Sequence, residues 1–370
     1  MENNSSKKTI CITGGHVTPA LAVIEEIQGQ KKPWNIFFVG RQYTSQGTND
    51  ESEEKKSIER MHIPFFPIHA GRMQRYFSLS ALRELFFVPI GLIEACVFFL
   101  RHKPDVILSF GGYVSLPVVL AGWLFGIPVV IHEQTHVLGL ANKIAARVAN
   151  KVLVTFDDTK GTKQLPNTVV TGLPIRKSFF HVVTKPTFSV SSDKPILYIT
   201  GGATGSVSLN DLLFPSIVRL VSSFTVIHQT GQPSFEKALQ IKKQLIKDEQ
   251  ERYFPYPYFA SEDVAWLMKH MVLLVGRSGA NTTVEVSLFE KPAIFIPLPW
   301  AANNEQMLNA IWYQHLGHGI TVEQKKATPE QLLELILNFA NKRVKEQGEK
   351  KKIPVTHAAT AVVRELASVL

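Results

Sequence analysis

The sequence has few cysteines, no long apolar run and no secretion signal, and each shortage excludes a class of protein. Only Cys11 and Cys96 occur in 370 residues, both in apolar segments, so a disulfide framework is excluded and a reducing compartment is expected. The longest apolar stretch, residues 85–100, contains Pro89 and Glu94 and is shorter than the ~18 apolar residues of a membrane-spanning helix. Residues 1–8 are polar and lack the apolar core of a signal peptide. We therefore expect a cytoplasmic protein that does not cross a membrane.

The sequence is also not acidic, and its charge limits the partners to consider. Lys and Arg number 40 against 31 Asp and Glu, which gives a net charge of +9. Such an excess favours nucleic acid, an anionic membrane surface or a phosphorylated ligand. Nucleic acid is the weakest of these, because aromatic residues do not interleave with the basic runs as base stacking requires. The composition, 45% hydrophobic and 19% charged, is that of a globular protein, and the length predicts two or three domains.

Short apolar runs alternate with segments of helical periodicity along most of the chain. Runs that are apolar throughout and separated by helices indicate parallel strands buried on both faces. Two series of such runs predict two doubly wound α/β domains. We expect domains at residues 1–173 and 174–355, with a helix in residues 356–370 packing back on the first domain. The predicted strands are residues 9–13, 36–39, 106–109, 129–132 and 152–155, then 196–200, 225–228, 271–275 and 293–296.

Four glycine-containing loops follow predicted strands. In open α/β sheets, loops at the carboxyl ends of strands open onto one edge, where ligands bind; the alternative is that they are only connecting turns. The loop at residues 201–206 has three glycines and two hydroxyl side chains, which suits phosphate. It lacks the lysine of a P-loop, which argues against ATP hydrolysis. The four loops are residues 13–16, 111–117, 201–206 and 276–282.

These loops, with other motifs in the same order, resemble the MurG family of glycosyltransferases (glycosyltransferase family 28). The resemblance covers essentially the whole chain. In the first half it is carried by Thr13-Gly14-Gly15-His16, Gly111-Gly112-Tyr113-Val114-Ser115, His132-Glu133-Gln134 and Asn142-Lys143. In the second half it is carried by residues 172–176, Gly201-Gly202, His228-Gln229-Thr230-Gly231, Arg277-Ser278-Gly279-Ala280 and Gln306 with Asn309-Ala310.

The resemblance implies a fold and an activity. The fold would be GT-B: two Rossmann-like, doubly wound parallel-sheet domains facing across a cleft, the second holding the donor and the first the acceptor. The activity would be transfer of N-acetylglucosamine (GlcNAc) from UDP-GlcNAc to lipid I, the undecaprenyl-linked muramyl-pentapeptide, forming lipid II in peptidoglycan synthesis. No cofactor, metal or nucleic acid would be needed. The expected location is the inner face of the bacterial cell membrane, as a peripheral protein.

The resemblance also implies roles for individual residues. The candidate catalytic residues are His16, His132 and Glu133. His16 would act as the base for the acceptor hydroxyl or contact the pyrophosphate, and these two roles are not separated. Its structural alternative is a helix-capping or loop-bonded histidine. His132 and Glu133 end a buried strand, and a hydrogen-bonded structural pair is as good an interpretation for them as direct catalysis.

The remaining candidates bind the two substrates. Arg277 would neutralise the UDP phosphates, Glu285 would accept from the ribose hydroxyls, and Gln306 and Glu305 would contact the sugar. Arg176 and the Phe259-Ala260 segment would lie near the uracil. The full donor set is Thr13, Gly14, Gly15, Arg176, Gly202, Ala203, Thr204, Phe259, Ala260, Arg277, Ala280, Thr282, Glu285, Glu305 and Gln306. The acceptor and pyrophosphate set is Gly111, Gly112, Tyr113, Ser115 and Thr135.

Several residues depart from the family pattern. Cys11 and Ile12 replace leading glycines of the first loop, Thr135 replaces an asparagine, and Ala203 and Thr204 replace a serine and a glutamine. These departures keep alternatives open: another GT-B lipid glycosyltransferase, a UDP-sugar epimerase, or a UDP-sugar-binding homologue with impaired catalysis.

A basic and aromatic segment in the first half predicts a membrane-facing surface. Arginines border a helical apolar pattern there, which suits binding to anionic lipid; the alternative is that its apolar face packs on the first sheet. The residues are Arg72, Arg75, Tyr76, Phe77, Leu79, Leu82, Arg83, Phe86, Phe87 and Arg101.

Overall fold

The computed structural model describes residues 7–43, 51–69, 87–190, 194–341 and 357–370. It divides into two compact units. Unit 1 comprises Met1–Arg176 with Pro354–Leu370, and unit 2 comprises Lys177–Ile353. The chain therefore leaves unit 1 after the first series of strands and returns to it at the carboxyl terminus. No helix in the described ranges is both long and apolar enough to span a membrane.

Unit 1 is built on a parallel sheet that has seven strands in the described residues. The strand order is β3-β2-β1-β4-β5-β6-β7, so β1 lies between β2 and β4. Ile10 and Ile12 face one core cluster and Cys11 faces the other, as expected for a strand buried on both faces. The strands are β1 (Lys8–Thr13), β2 (Trp34–Gly40), β3 (Phe65–Pro67), β4 (Val106–Ser109), β5 (Val129–Glu133), β6 (Lys151–Val154) and β7 (Thr168–Val170).

Helices cover both faces of this sheet. The carboxyl-terminal helix packs against the first helix, and its Val362, Val363 and Leu366 are buried in the same cluster as Ile10. The helices are α1 (Val17–Gly29), α2 (Glu53–Arg60), α3 (Phe87–Arg101), α4 (Ser115–Leu124), α5 (Leu140–Ala145) and, at the carboxyl terminus, α14 (Ala358–Ala367).

Unit 2 repeats the architecture with six parallel strands among its described residues. Their order is β10-β9-β8-β11-β12-β13, so β8 and β11 are central and adjacent. The strands are β8 (Ile196–Thr200), β9 (Thr225–Gln229), β10 (Tyr253–Tyr256), β11 (Leu273–Gly276), β12 (Ala293–Phe295) and β13 (Gly319–Thr321). The helices are α6 (Val207–Leu213), α7 (Ile217–Val221), α8 (Gln232–Gln244), α9 (Lys247–Gln250), α10 (Ser261–His270), α11 (Ala280–Ser287), α12 (Glu305–His315) and α13 (Pro329–Asn341).

The predicted fold class, two parallel-sheet α/β units, is confirmed. All nine predicted strands are present, with ends that differ by no more than a few residues. The four strands that the sequence did not predict are Phe65–Pro67, Thr168–Val170, Tyr253–Tyr256 and Gly319–Thr321, and each lies at an edge of its sheet.

Candidate functional site

In unit 1, the loops after β1, β4 and β5 meet at the carboxyl edge of the sheet, which we call the first edge. The first two loops interlock, because the Gly15 N–H donates to the Gly111 carbonyl at 2.9 Å. Gly14 has φ +144°, and a Cβ there would lie 2.9 Å from Phe110 atoms, so the close approach requires glycine. A glycine turn before a helix can leave backbone N–H groups free for an anion, but the Gly15 N–H is bonded within the protein.

His16 ends the first loop and precedes helix α1. It occupies the N-cap position, but its side chain makes no capping hydrogen bond, so the helix-capping alternative has no support. The residue retains solvent exposure. Even so, the protein packed around the imidazole lowers its pKa, while the negative charge of Glu133 acts in the opposite direction. A histidine with a lowered pKa is neutral at neutral pH and able to accept a proton.

Glu133 is a buried acceptor at the end of β5, only 4% exposed. Its Oε1 accepts from the Thr135 N–H at 3.1 Å and the Thr135 hydroxyl at 3.0 Å. Its Oε2 accepts from the Gly139 N–H at 2.8 Å and from Asn142 Nδ2 at 3.0 Å. The four donated hydrogen bonds fix the carboxyl group and the loop that surrounds it. The carboxylate therefore holds residues 133–142 in shape.

His132 is fully buried and is also bonded within the protein. Its Nε2 lies 2.9 Å from the Gly172 carbonyl, which can only accept, so Nε2 carries the proton. Burial lowers the pKa of His132 to about 4, and the ring is neutral at neutral pH. These contacts agree with the structural interpretation of His132 and Glu133, and their direct catalytic role stays a prediction.

The predicted acceptor residues meet at the first edge. Gly111 and Gly112 have φ of +71° and +81°, a conformation that favours glycine. The buried Ser115 hydroxyl donates to the Gly112 carbonyl at 2.9 Å, and Thr13 is buried beneath the loops. Thr13, Gly14 and Gly15, predicted as donor residues, thus belong to unit 1 with the acceptor set.

In unit 2, the loops after β8, β11 and β12 form the corresponding edge, which we call the second edge. Thr200 Oγ1 accepts from the Gly202 N–H at 3.0 Å, and the Gly202 carbonyl accepts from the Gly205 N–H at 3.0 Å. Gly205 has φ +74°, and a Cβ there would lie 2.4 Å from the Thr230 carbonyl oxygen. The turn therefore depends on glycine. It leaves Ala203 and Thr204 exposed at its tip.

Arg277 is the central charged group of the second edge. It is 3% exposed and donates to the Ser206 hydroxyl from Nε (3.0 Å) and Nη2 (2.9 Å), to Ser208 Oγ (2.8 Å) and to the Ile296 carbonyl (2.8 Å). None of its described contacts is a carboxylate. Burial lowers its pKa to about 10, so it remains charged at neutral pH. A buried cation whose described contacts include no carboxylate, beside a glycine loop, is suited to an anionic ligand.

Other predicted donor residues lie near Arg277 in the chain and in the fold. Glu285 is buried on α11. Burial raises the pKa of Tyr198 on the central strand β8, and the negative charge of Glu285 adds to this effect. Ala280 and Thr282, on the first turn of α11, are half-buried. Glu285 is therefore not an exposed surface glutamate.

Gln306 and Glu305 begin helix α12. The Gln306 side-chain oxygen accepts from the Leu298 N–H at 3.0 Å, so its amide NH₂ is the group left to face a sugar. The Gln306 carbonyl accepts from Ser278 Oγ at 2.7 Å. This bond ties the start of α12 to the loop that carries Arg277.

Arg176 and Phe259 differ from the rest of the predicted donor set. Arg176 forms an ion pair with Glu25 of α1 and belongs to unit 1. Phe259 is buried against Phe188 and Tyr256, which leaves its backbone and the exposed Ala260 as the groups that can meet a base.

Sequence reasoning missed several residues that belong to these edges. Arg41 contacts the predicted acceptor residue Tyr113, and Ser208 contacts Arg277. Arg41 immediately follows β2, so the rule that ligands bind at the carboxyl ends of strands would have found it. Ser208 carried no such signal. In the ranges that the structure describes, no group of three or more His, Cys, Asp or Glu side chains is arranged to hold a metal.

Comparison with known proteins gives matches over nearly the whole chain. The model of the glycosyltransferase family 28 N-terminal domain matches residues 9–154, and that of the C-terminal domain matches residues 196–366. Curated relatives include the UDP-N-acetylglucosamine–N-acetylmuramyl-(pentapeptide) pyrophosphoryl-undecaprenol N-acetylglucosamine transferase of Legionella pneumophila, 32% identical over 96% of this chain and 95% of that protein. A Bacillus cereus protein of the same name, numbered 2, is 33% identical over 91% and 94%.

Solved structures agree. A crystal structure of MurG from Acinetobacter baumannii is 26% identical, covers 98% of this chain and 99% of its own, and has a TM-score of 0.70. A UDP-bound structure of Staphylococcus aureus MnaA has a TM-score of 0.68 at 13% identity and covers 98% of both chains. At that identity the likeness concerns the fold alone.

Proposed function

The chain belongs to glycosyltransferase family 28, and we propose that it transfers GlcNAc from UDP-GlcNAc to the muramyl sugar of lipid I, forming lipid II. In this reaction an acceptor hydroxyl oxygen bonds to the anomeric carbon, the bond from that carbon to the phosphate oxygen breaks, and UDP leaves with the electron pair. The hydroxyl proton passes to a base. The assignment is supported by the sequence identity of 32%, over nearly the full length, to the Legionella pneumophila transferase.

The main support for the donor half of the proposal is the buried guanidinium of Arg277. A buried cation with no carboxylate among its described contacts can stabilise the two negative charges of the UDP pyrophosphate, which grow as the leaving group departs. Its hydrogen bonds to Ser206 and Ser208 hold the guanidinium in place. Glu285 would accept from the ribose hydroxyls, and the Gln306 amide would donate to the sugar.

His16 is the proposed base in the acceptor half. Its imidazole lacks a capping bond, and its lowered pKa keeps it unprotonated at neutral pH, as a base requires. His132 and Glu133 would act through position, because the Glu133 carboxylate fixes the loop behind His16 and supplies a negative charge that stabilises the imidazolium as it forms.

The test measures radiolabelled GlcNAc transfer to a lipid I analogue, with Glu285→Ala as the informative variant. Parent protein should transfer the label. The variant should weaken UDP-GlcNAc binding by about 10- to 100-fold, since hydrogen bonds to a charged acceptor are worth about 1.5–3 kcal/mol, and should leave acceptor binding nearly unchanged. Transfer of glucose in preference to GlcNAc, or binding of UDP-GlcNAc without transfer, would overturn the proposal in favour of another lipid glycosyltransferase or an impaired homologue.

A second part of the proposal is that unit 1 contacts an anionic membrane surface. The arginines predicted for this surface at positions 72, 75 and 83, with the aromatic and leucine residues among them, lie outside the described residues, as does the Phe87 side chain. The described helix α3 nevertheless carries an exposed apolar stripe at helical spacing: Ile90, Ile93, Val97 and Leu100, with Ile93 63% and Leu100 70% exposed. Exposed Trp123 and Leu124 end the neighbouring helix α4.

An exposed apolar stripe followed by Arg101, His102 and Lys103 suits the interface of an anionic bilayer. The double variant Ile93→Glu with Leu100→Glu should lose most of its co-sedimentation with vesicles that contain phosphatidylglycerol. Val218→Glu, at a similarly exposed valine of unit 2, is the matched control and should sediment like the parent. Equal sedimentation of all three proteins would assign the stripe to another partner.

A further inference from the structure

Arg41 reaches across the first edge, although no motif singles it out. It directly follows β2, and its Nη1 donates to the Tyr113 hydroxyl at 2.8 Å, with the guanidinium carbon 5.6 Å from the Tyr113 ring centre. Tyr113 follows β4, and β2 and β4 are the two neighbours of β1. Alternate strands of a sheet lie about 10 Å apart, so these two side chains together span the end of β1. That end carries the loop with His16.

The backbone of Arg41 is held in place by helix α2 and its N-cap residue, Ser52. The Arg41 N–H donates to Glu54 Oε1 at 3.2 Å, and the Ser52 hydroxyl donates to the Arg41 carbonyl at 2.6 Å. Gly40 allows this approach, because a Cβ there would lie 2.0 Å from Glu54 Oε1. The guanidinium is thus oriented by two fixed elements, Tyr113 and the start of α2, before any ligand binds.

The charge of Arg41 is only partly balanced. Its Nε is 3.9 Å from Glu54 Oε2, too far for a hydrogen bond, and within the described residues both atoms are buried without a hydrogen-bond partner. Burial raises the pKa of Glu54 to about 7, against the lowering effect of Arg41, so the carboxyl group is only partly ionised at neutral pH. The Arg41 side chain remains 29% exposed, which leaves the guanidinium reachable from solvent with net positive charge.

We propose that Arg41 binds the pyrophosphate of the acceptor and that Tyr113 and Glu54 are its positioning residues. This inference rests on the proposed function, which supplies an acceptor with a pyrophosphate next to the sugar that reacts. Guanidinium groups are the preferred partners of phosphate oxygens. The Gly15 N–H of the adjacent loop is already bonded to Gly111, so a side-chain cation supplies attraction that this N–H cannot. The acceptor peptide is the other source of anionic groups, and the test separates the two.

The test compares Arg41→Gln, Arg41→Lys and Tyr113→Phe with the parent in transfer assays that use a short-chain lipid I analogue. Arg41→Gln should raise the acceptor KM about 10- to 100-fold, as expected for loss of a charge-assisted contact, and leave the KM for UDP-GlcNAc within twofold. Arg41→Lys should restore part of the acceptor affinity, and Tyr113→Phe should raise the acceptor KM only a few-fold. The matched control is Arg60→Gln, which removes an exposed arginine from the end of α2 and should behave like the parent.

A second arm uses the muramyl-pyrophosphoryl analogue without its peptide. The same KM increase with this analogue assigns Arg41 to the pyrophosphate, whereas an increase that disappears overturns that assignment in favour of the peptide. An unchanged acceptor KM in Arg41→Gln, with a parent-like melting temperature, overturns the role altogether. Equilibrium binding of the fluorescent analogue separates this result from failure of the proposed function: a parent that binds the analogue without transferring sugar contradicts the function but still tests Arg41. A parent that binds no analogue contradicts both.

Discussion

The first edge, in unit 1, buries the carboxylate of Glu133, whereas the second edge, in unit 2, buries the guanidinium of Arg277. Both edges consist of glycine loops at the carboxyl ends of parallel strands. Glu133 accepts four hydrogen bonds from its own loop. Within the described residues, Arg277 donates to hydroxyl and carbonyl oxygens. A carboxylate whose oxygens already accept hydrogen bonds from the protein does not need a ligand to satisfy them. A guanidinium that has no carboxylate among its described contacts can still attract an anionic ligand.

The comparison indicates a division of work between the edges. The buried guanidinium makes the second edge suitable for an anionic ligand. The proposed donor has such a group, because UDP carries two phosphates. The first edge holds a loop and a histidine in position. It also presents the guanidinium of Arg41, which lies outside the loops that sequence motifs identify. The two units thus share an architecture but bury opposite charges at these edges, a carboxylate in unit 1 and a guanidinium in unit 2.

The largest expected effect tests the first edge. His16→Ala should lower kcat by about 100-fold or more, as loss of a general base does, and should change donor affinity much less. Steady-state kinetics at saturating acceptor measure both quantities. A kcat equal to that of the parent would make the first edge purely structural, and the comparison between the edges would then fail.

The next effect tests the second edge. Arg277→Gln should raise the Kd for UDP-GlcNAc by about 10- to 100-fold, because charge-assisted hydrogen bonds are worth about 1.5–3 kcal/mol. Isothermal titration provides the measurement, and Lys237→Gln, at an exposed lysine paired with Asp211 in the same unit, is the control. Similar losses for UDP and for uridine would contradict a phosphate role, since uridine has no phosphate.

A smaller effect compares the buried histidines of the units. Burial lowers the pKa of His132 to about 4 and that of His228 to about 3. Because the unfolded state takes up a proton near pH 6.5 and the folded state does not, stability falls as pH drops from 7 to 5, by on the order of 1–2 kcal/mol for each histidine.

Amide hydrogen exchange, measured separately for the amides of each unit, reports this loss of stability between pH 7 and pH 5. His228→Gln should reduce the pH-dependent part in unit 2 alone, and His132→Gln should reduce it in unit 1 alone. Each substitution also removes hydrogen bonds, which lowers stability at both pH values. That effect cancels in the difference between the stabilities at pH 7 and pH 5. Equal pH dependence in parent and variant would mean that the histidine takes up its proton as readily in the folded state as in the unfolded state.

The smallest effect sharpens the link between Glu133 and His16. The negative charge of Glu133 raises the pKa of His16 against the lowering by burial. Glu133→Gln should therefore move the acidic limb of the kcat profile to lower pH, by less than about one unit for a partly screened charge. A shift to higher pH would show that Glu133 influences His16 through loop geometry rather than charge.

The fold was predictable where strands are buried on both faces. Residues 106–109 and 196–200 were predicted with their observed ends because continuous apolar runs mark central parallel strands. The missed strands, such as Phe65–Pro67 and Gly319–Thr321, are three or four residues long and lie at sheet edges. Edge strands are half-exposed and need no continuous apolar run, so they leave little signal in the sequence.

The candidate site was predictable only as positions along the chain. Motif order placed His16, Glu133, Arg277 and Glu285 at strand ends or in the helices that follow, and the structure has them there. Whether a carboxylate such as Glu133 is bonded within its own loop depends on donors up to nine residues away, and no spacing rule specifies those contacts.

The sequence by itself determined the two parallel-sheet units, the order of the glycine loops and the family, because apolar periodicity and turn residues are local properties of the chain. Tertiary structure alone decided which charges are satisfied. Arg41 and Tyr113 are 72 residues apart, and they meet because β2 and β4 both pair with β1. Arg277 and Ser206 are 71 residues apart and meet because β8 and β11 are neighbours. Side-chain contacts of this kind follow from strand order, which is a property of the folded sheet.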